Sequence, residues 1–399
     1  MQLVEKHVIK TNDPHFAEID AAAFAAKNLY NLATYHQRQR LFAGEYVYSY
    51  VDLHKLLKSE DAYGALPAKV SQQVLRMVDK AWKSYFASLK EWRKDPSKFL
   101  GKPKLPQYKD KESGRYTLVY TIQAISSKLL RIGQVKPSGL GLIVKTKQTD
   151  IAQVRIVPKK THYVVEVVYN VEPESPELDY TLIAGIDLGL DNLAVVTSNK
   201  QGYKPLVVNG KPLKSINQFY NKRKAELQSI LGSDKAQSHR IDRMTDKRNR
   251  RIDHYLHTAS RRIVDHLVEQ QIGMLVIGQN SDWKQGIGIG KRNNQNFVSI
   301  PHARFVSMLT YKCELVGINV VTTEESYTSK TSFLDGEEPV KHESYAGRRV
   351  KRGLFRSALG RVINADLNGA YQIIKKVAPA AFGQGVEGAV VHPSPLPVA

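Results

Sequence analysis

LIAGIDLGLDNLAVVTS, residues 182–198, is the stretch on which the fold reading turns. Two apolar strands flank a turn at Asp191-Asn192, and the first is interrupted by Asp187 with Gly189 close behind it. An acid inside an otherwise buried strand is costly unless something compensates, and a bound cation is the simplest compensation. Glycine beside it lets a backbone or ligand approach closely. A strand-end acid capping a turn accounts well for Asp191 and poorly for Asp187.

RVINADLNGAYQIIKK, residues 361–376, supplies a second acid far away in the chain. Asn364 can cap a helix carrying Leu367, Ala370, Tyr371 and Ile374, with Asp366 in its first turn. Helix starts favour acids through the dipole, so Asp366 by itself reads as structural. Paired with Asp187 it reads differently. A strand Asp and a distant helix-start Asp in one basic α/β region make the pattern of a ribonuclease-H-like nuclease. In such sites carboxylates from separate elements hold two divalent ions about 3.5–4 Å apart for phosphodiester hydrolysis. Hard oxygen ligands imply Mg²⁺ or Mn²⁺.

Around these motifs, apolar runs at 193–197, 205–208, 274–277 and 318–322 predict strands. Helical periodicity at 212–230, 239–272, 301–316 and 364–377 completes an α/β domain over 180–378. The proline-bearing remainder, 379–399, reads as an extended, loosely held tail. Upstream, 2–10 predicts a strand and 15–42 and 67–94 predict helices, the second with Val74, Leu75, Val78 and Trp82 on one face. Short alternating segments follow at 116–122, 129–132, 142–145, 154–157 and 163–171, with PKKT (158–161) turning the last two into a hairpin. Their regular spacing predicts a small β-barrel over 1–13 and 101–175, interrupted by a helical insertion over 14–100.

The charge sets the class of partner. The 399 residues carry 59 Lys+Arg against 38 Asp+Glu, a formal charge of +21. That balance disfavours a neutral metabolic enzyme and points to a polyanion, most often nucleic acid. Basic residues cluster at Lys222 and Arg223, at Arg240, Arg243, Arg248 and Arg251, and at 348–352. The single cysteine, Cys313, makes neither an intramolecular disulfide nor a cysteine-based zinc site. No apolar run approaches the ~20 residues of a membrane span, and the start lacks a signal peptide's apolar core. The expected setting is a reducing prokaryotic cytoplasm, at the nucleoid. The glycine-rich GIGIGKRNNQNF (286–297) lacks phosphate-loop spacing and reads as a loop.

GIDLGLDNLAVV, NGKPLKSINQFYNKRKAEL, EESYTSKTSFLDGE and INADLNGAYQII, in that order and spacing, resemble the TnpB (OrfB) family. These are transposon-associated RNA-guided DNA endonucleases with a RuvC-like nuclease domain, related to type V CRISPR effectors. The resemblance implies a β-barrel wedge domain with a helical recognition insertion, followed by the nuclease domain. It implies a guide RNA, from a transposon end or from a CRISPR array, and double-stranded target DNA with a short adjacent motif. Gln72, Gln73 and Arg76, on the polar face of the 67–94 helix, are candidates for reading that motif.

Two departures from the family pattern matter. The family's middle glutamate ends the strand after the long helix, where this chain has Gly278 in MLVIGQN. The next strand ends in VVTTEESYTS, which resembles the family's subgroup with a rearranged middle acid. The expected metal triad is therefore Asp187, Glu325 and Asp366, with Glu324 as the other choice for the middle acid. Residues 330–360 contain no cysteine, so the family's four-cysteine zinc ribbon is missing and Asp335-Gly336 reads as a structural turn pair. The rival reading of the missing glutamate is a cleavage-dead RNA-guided DNA-binding repressor.

Overall fold

A computed structural model describes all residues except 175, 233–235, 280–298, 384–388 and 399. The chain divides into two compact units, Met1–Val171 and Glu172–Ala399. GIGIGKRNNQNF lies outside the described residues.

The first unit starts with β1 (Gln2–Lys10) and the helices α1 (Phe16–Phe42), α2 (Tyr50–Leu57), α3 (Asp61–Gly64) and α4 (Ala68–Lys94). It continues with β2 (Leu118–Thr121), α5 (Ser127–Leu130), β3 (Gln134–Val135), β4 (Val144–Lys145), β5 (Ile151–Pro158) and β6 (His162–Asn170). α4 forms where apolar residues recur every three or four positions, and it buries Val70, Val74, Leu75, Val78 and Trp82. β1 runs antiparallel along the whole of β6, from Gln2 opposite Asn170 to Lys10 opposite His162.

The expected barrel is not closed. Among the described residues the strands form an open sheet in the order β1-β6-β5-β2, and β3 and β4 pair only with each other. The physical reason lies in the helices. Ile19, Leu29, Val74 and Trp82 share one core with Leu118, Val154, Ile156 and Val165, so helices bury the apolar sheet surface that closure would otherwise cover. The strand expected at 129–132 is instead a short helical turn, started by Ser126, whose side chain accepts from the Leu129 amide. The helices over 50–64 were not expected. They are short, and only α2 has a side-chain cap, with Ser49 accepting from the Asp52 amide.

The second unit contains β7 (Asp179–Leu188), β8 (Asn192–Ser198), β9 (Leu206–Asn209), α6 (Lys211–Ile230) and α7 (His239–Glu269). After these come β10 (Ile272–Gly278), α8 (His302–Leu315), β11 (Asn319–Thr323), β12 (Arg348–Lys351), β13 (Leu354–Arg356), β14 (Val362–Asn364), α9 (Ala365–Val377) and β15 (Ser394–Pro395). Six strands form a mixed sheet in the order β11-β10-β7-β8-β9-β15. β10 lies parallel to both β7 and β11, while β8 is antiparallel to β7. Residues of α7 and α8 share a core with one sheet face: Ile263 and Phe305 pack with Ala184, Ile186 and Leu275. The other face receives α9, whose Ile373 and Ile374 pack with Ile183 and Val276.

The small sheet β12-β13-β14 was not expected; its strands have only three or four residues. The described end of the tail is docked. β15 pairs in parallel with β9, and Leu396 and Val398 pack against the main core.

Candidate active site

The site is set by where α9 meets the sheet. Gly185 and Asp187 are two residues apart on β7 and so project to the same face. A Cβ on Gly185 would stand 2.5 Å from the Ala370 carbonyl oxygen and from Ile374 Cγ1. On the helix side, a Cβ on Gly369 would stand 2.7 Å from Asp187 Oδ2. Two glycines, one on each element, therefore let the helix settle directly onto the Asp187 carboxylate. Crowding raises the Asp187 pKa well above its ordinary value through lost solvation, reinforced by the charges of Glu325 and Asp366; Arg349 opposes the shift. The carboxylate is crowded by protein, yet the residue keeps an edge open to solvent.

Asp366 arrives from the first turn of α9. The Asn364 side chain accepts from the Asp366 and Leu367 amides and fixes that turn. Asp366 Oδ2 accepts from Asn192 Nδ2 at 2.7 Å, while Oδ1 faces the Arg349 guanidinium at 3.7 Å. Asp366 and Gly369 are three residues apart and lie along one side of the helix.

Glu325 completes the group by a less direct route. In the parallel β7–β10 ladder Ile277 stands beside Ile186, so the next step sets Gly278 beside Asp187. A Cβ on Gly278 would meet Glu325 Oε1 and Ile373 Cδ1 at 2.5 Å, and Glu325 Cγ at 2.7 Å. The Glu325 side chain thus fills the space that a side chain at 278 would take. Burial pushes its pKa up to about 7. Glu324, one residue earlier, is exposed.

The loop carrying Glu325 is held by side chains of α9. Asn368 Nδ2 donates to the Thr331 carbonyl at 2.8 Å, and its Oδ1 accepts from the Phe333 amide at 2.9 Å. Gln372 Nε2 donates to the Glu337 carbonyl and Lys376 Nζ to that of Ser326. These three residues recur at intervals of four, the helical repeat. The Asp335-Gly336 turn is present: Gly336 has φ +70° and its amide donates to the Phe333 carbonyl.

Among the described residues no three His, Cys, Asp or Glu side chains close into a ready-made ion cage. The donor set is nonetheless all hard oxygen. Three acids gathered around Asp187, with Arg349 as the opposing charge, are an arrangement that a divalent cation relieves.

The basic candidates are dispersed. Lys222, Arg240, Arg243 and Arg251 are exposed, whereas Arg223 pairs with Glu226 at 2.6 Å. Arg248 is an internal brace, donating to Asn217 Oδ1 and to the Ser299 carbonyl. In the first unit, Arg76 lies over the Tyr50 ring at 4.1 Å, with Gln72 and Gln73 half-buried on the same helix. The roles of Arg349 and Asn192 escaped the sequence reading. Arg349 was visible only as part of a basic run, and Asn192 only as a turn residue. Their positions depend on a small sheet and a hairpin exit that periodicity does not reveal.

Residues 166–284 match the OrfB_IS605 model, described as a probable transposase, and residues 302–373 match the Cas12f1-like TNB domain. Over 237 residues the chain is 25% identical to the CRISPR-associated endodeoxyribonuclease Cas12f1 of Sulfoacidibacillus thermotolerans. That alignment takes in 57% of this chain and 53% of the relative, so it spans about half of the curated protein's length. The cryo-EM structure of a Cas12f1–sgRNA–target DNA complex matches with a TM-score of 0.56 at 15% identity, covering 89% of this chain and 81% of that one. At that identity the likeness is one of fold. No helix among the described residues is long and apolar enough to cross a membrane. Taken together, the two family matches and the curated relative make the chain similar in sequence to TnpB-like proteins and to the type V CRISPR effectors related to them.

Proposed function

We propose that the chain is an RNA-guided DNA endonuclease of the TnpB/Cas12f type, associated with a transposon and acting at the nucleoid of a prokaryotic cell. It hydrolyses phosphodiester bonds of guide-matched DNA with divalent metal ions. The observation that carries this reading is the convergence of Asp187, Glu325 and Asp366 from a strand, a strand exit and a helix start onto one face of the sheet. Residues 180–378 form the RuvC-like cleaving part, 14–100 the recognition part, and 1–13 with 101–175 the wedge.

Asp187, Glu325 and Asp366 would hold Mg²⁺ or Mn²⁺. When bound, the ions activate water and stabilise the leaving oxygen of an in-line displacement. Gly278 and Gly369 keep the space that the Glu325 and Asp187 carboxylates occupy. Asn192 fixes the orientation of Asp366, and Arg349 neutralises it until a scissile phosphate offers the guanidinium a better partner. The exposed Lys222, Arg240, Arg243 and Arg251 contact phosphates of the guide–target duplex by shape rather than sequence. Gln72, Gln73 and Arg76 contact the target-adjacent motif.

The test is cleavage of matched, motif-flanked DNA by the purified protein–RNA complex in Mg²⁺. Asp187→Ala is expected to bring cutting to background. Firm guide-directed binding with no wild-type cutting above that variant would sink the endonuclease reading and leave the repressor in its place. Sequencing the RNA that co-purifies separates a transposon-end guide from an array-derived one.

A further inference from the structure

Helices α6 and α7 enclose an open groove of about 380 Å³, apart from the carboxylates. Phe219, Tyr220 and Met244 give it apolar walls, Lys247, Arg248 and Arg251 line it with positive charge, and no acid lines it among the described residues. Part of the groove is braced. Arg248 donates to Asn217 Oδ1 at 2.8 and 2.6 Å, and its guanidinium lies 5.5 Å from the centre of the Tyr220 ring. The Tyr220 hydroxyl is paired with Thr245 Oγ1 at 2.9 Å. Other groups are unused: Phe219 is 68% exposed, and Lys247 and Arg251 have no ion-pair or hydrogen-bond partner among the described residues.

Fold stability does not call for this combination. An exposed phenyl ring buries little area, and unpaired cations beside it add only repulsion. A nucleotide uses both, because its base has a π-face for the ring and its flanking phosphates match the cations. Duplex DNA offers phosphates but hides its base faces. An apolar peptide would match the ring and waste three positive charges. The groove also has a structural link to the carboxylate site. Lys214, five residues before Phe219 on α6, binds Asp191 at 2.5 Å in the β7–β8 turn that follows Asp187. Five residues are about 7.5 Å of helix.

We propose that this groove holds an unpaired nucleotide of a DNA single strand, with its base on Phe219 and its phosphates on Lys247 and Arg251. The proposal rests on the nucleic-acid reading above and adds a substrate form, a single strand, and a residue that grips it.

The test uses the full chain without guide, in chelator, binding a labelled short single strand measured by fluorescence anisotropy. Phe219→Ala is expected to weaken binding roughly ten-fold, and Phe219→Trp to retain it. A strand of the same length with abasic sites should bind the wild type as weakly as the intact strand binds Phe219→Ala. Replacing Lys247 and Arg251 together by alanine should flatten the slope of log K against log salt by about 1.4, two single-strand phosphate contacts. Equal binding of intact and abasic strands by the wild type would overturn the proposal. So would an equal loss for duplex DNA in Phe219→Ala. A chain that grips single strands in this way yet never cuts leaves this proposal standing and removes the endonuclease one. A chain that cuts, but binds strands without regard to Phe219, does the reverse.

Discussion

The ends of β10 and β11 lie side by side, Gly278 next to Thr323 in register, and among the described residues it is the exit of β11 that carries the acids. β10 stands beside β7, the strand of Asp187, and is the direct place from which to deliver a carboxylate. It ends instead on glycine, and Glu325, two residues past the end of β11, lies across the vacated space. The comparison teaches that a carboxylate can be brought to the same place from a different sequence position. One strand can give up its side chain if its neighbour's exit is long enough to reach over and firmly enough held.

The largest effect that tests this comparison is loss of Glu325. Glu325→Ala is expected to lower the cleavage rate on the order of 10³-fold, since a metal-binding carboxylate stabilises the transition state by several kcal/mol. Glu324→Ala, at an exposed position, should cut at close to the wild-type rate. Adding Gly278→Glu to Glu325→Ala returns an acid to the neighbouring strand and should recover part of the lost rate. If Glu324→Ala is the dead variant, or Gly278→Glu rescues nothing, the exchange between the strands is wrong.

The second effect concerns what holds the reach. Asn368 is fully buried and satisfies two backbone groups of the loop that carries Glu325. Asn368→Leu strands both, at about 1–3 kcal/mol each. Urea denaturation should show a stability loss of about 2–4 kcal/mol, with cleavage falling even where the protein remains folded. An unchanged denaturation midpoint would show that the loop is held some other way.

These residues also mark what the sequence could and could not reveal. The acids of β7 and α9 were legible because each breaks a local rule or sits at a cap: Asp187 interrupts an apolar strand, and Asp366 follows Asn364. The main strands of the second unit were legible from short apolar runs. The barrel was misjudged because alternation reports a buried face without saying whether helices or strands cover it, and here α1 and α4 contribute to that core. Arg349 and Asn192 were illegible because nothing local marks them; β12 and the β7–β8 hairpin bring them to Asp366. The family resemblance, not periodicity, pointed to the Glu324-Glu325 pair, and only packing against Gly278 distinguishes the two.

A smaller effect tests the vacated space itself. In Gly278→Ala the new Cβ would lie within 2.7 Å of Glu325 Cγ and closer still to Glu325 Oε1 and Ile373 Cδ1. Both neighbours are side-chain atoms, so they shift rather than forbid the fold, at about 1–3 kcal/mol for overpacking. The expected result is a folded protein with cleavage reduced about ten-fold or more, because the displaced group is the one that matters. Wild-type cleavage in Gly278→Ala would mean that Glu325 has slack, and that the space was not the constraint.

The smallest effect is on stability, and its sign separates a working site from a packing device. Glu325 has its pKa raised by burial from about 4.5 to about 7, and Asp187 is raised as well. A carboxyl that holds its proton more tightly when folded stabilises the native state at low pH and loses that contribution as pH rises through the folded value. Without metal, wild-type stability should therefore fall as pH rises from about 4.5 through 7. Glu325→Gln removes the ionisation, so in chelator its advantage over wild type should grow across that window. Thermal melts at pH 5 and pH 8 measure it. Mg²⁺ or Mn²⁺ should then raise the wild-type midpoint at pH 8, where the carboxylate is free to bind it, and move Glu325→Gln much less. If Glu325→Gln were the less stable protein at pH 8 in chelator, Glu325 would be a structural acid with a partner to lose, and the site built around Gly278 would have to be read as packing.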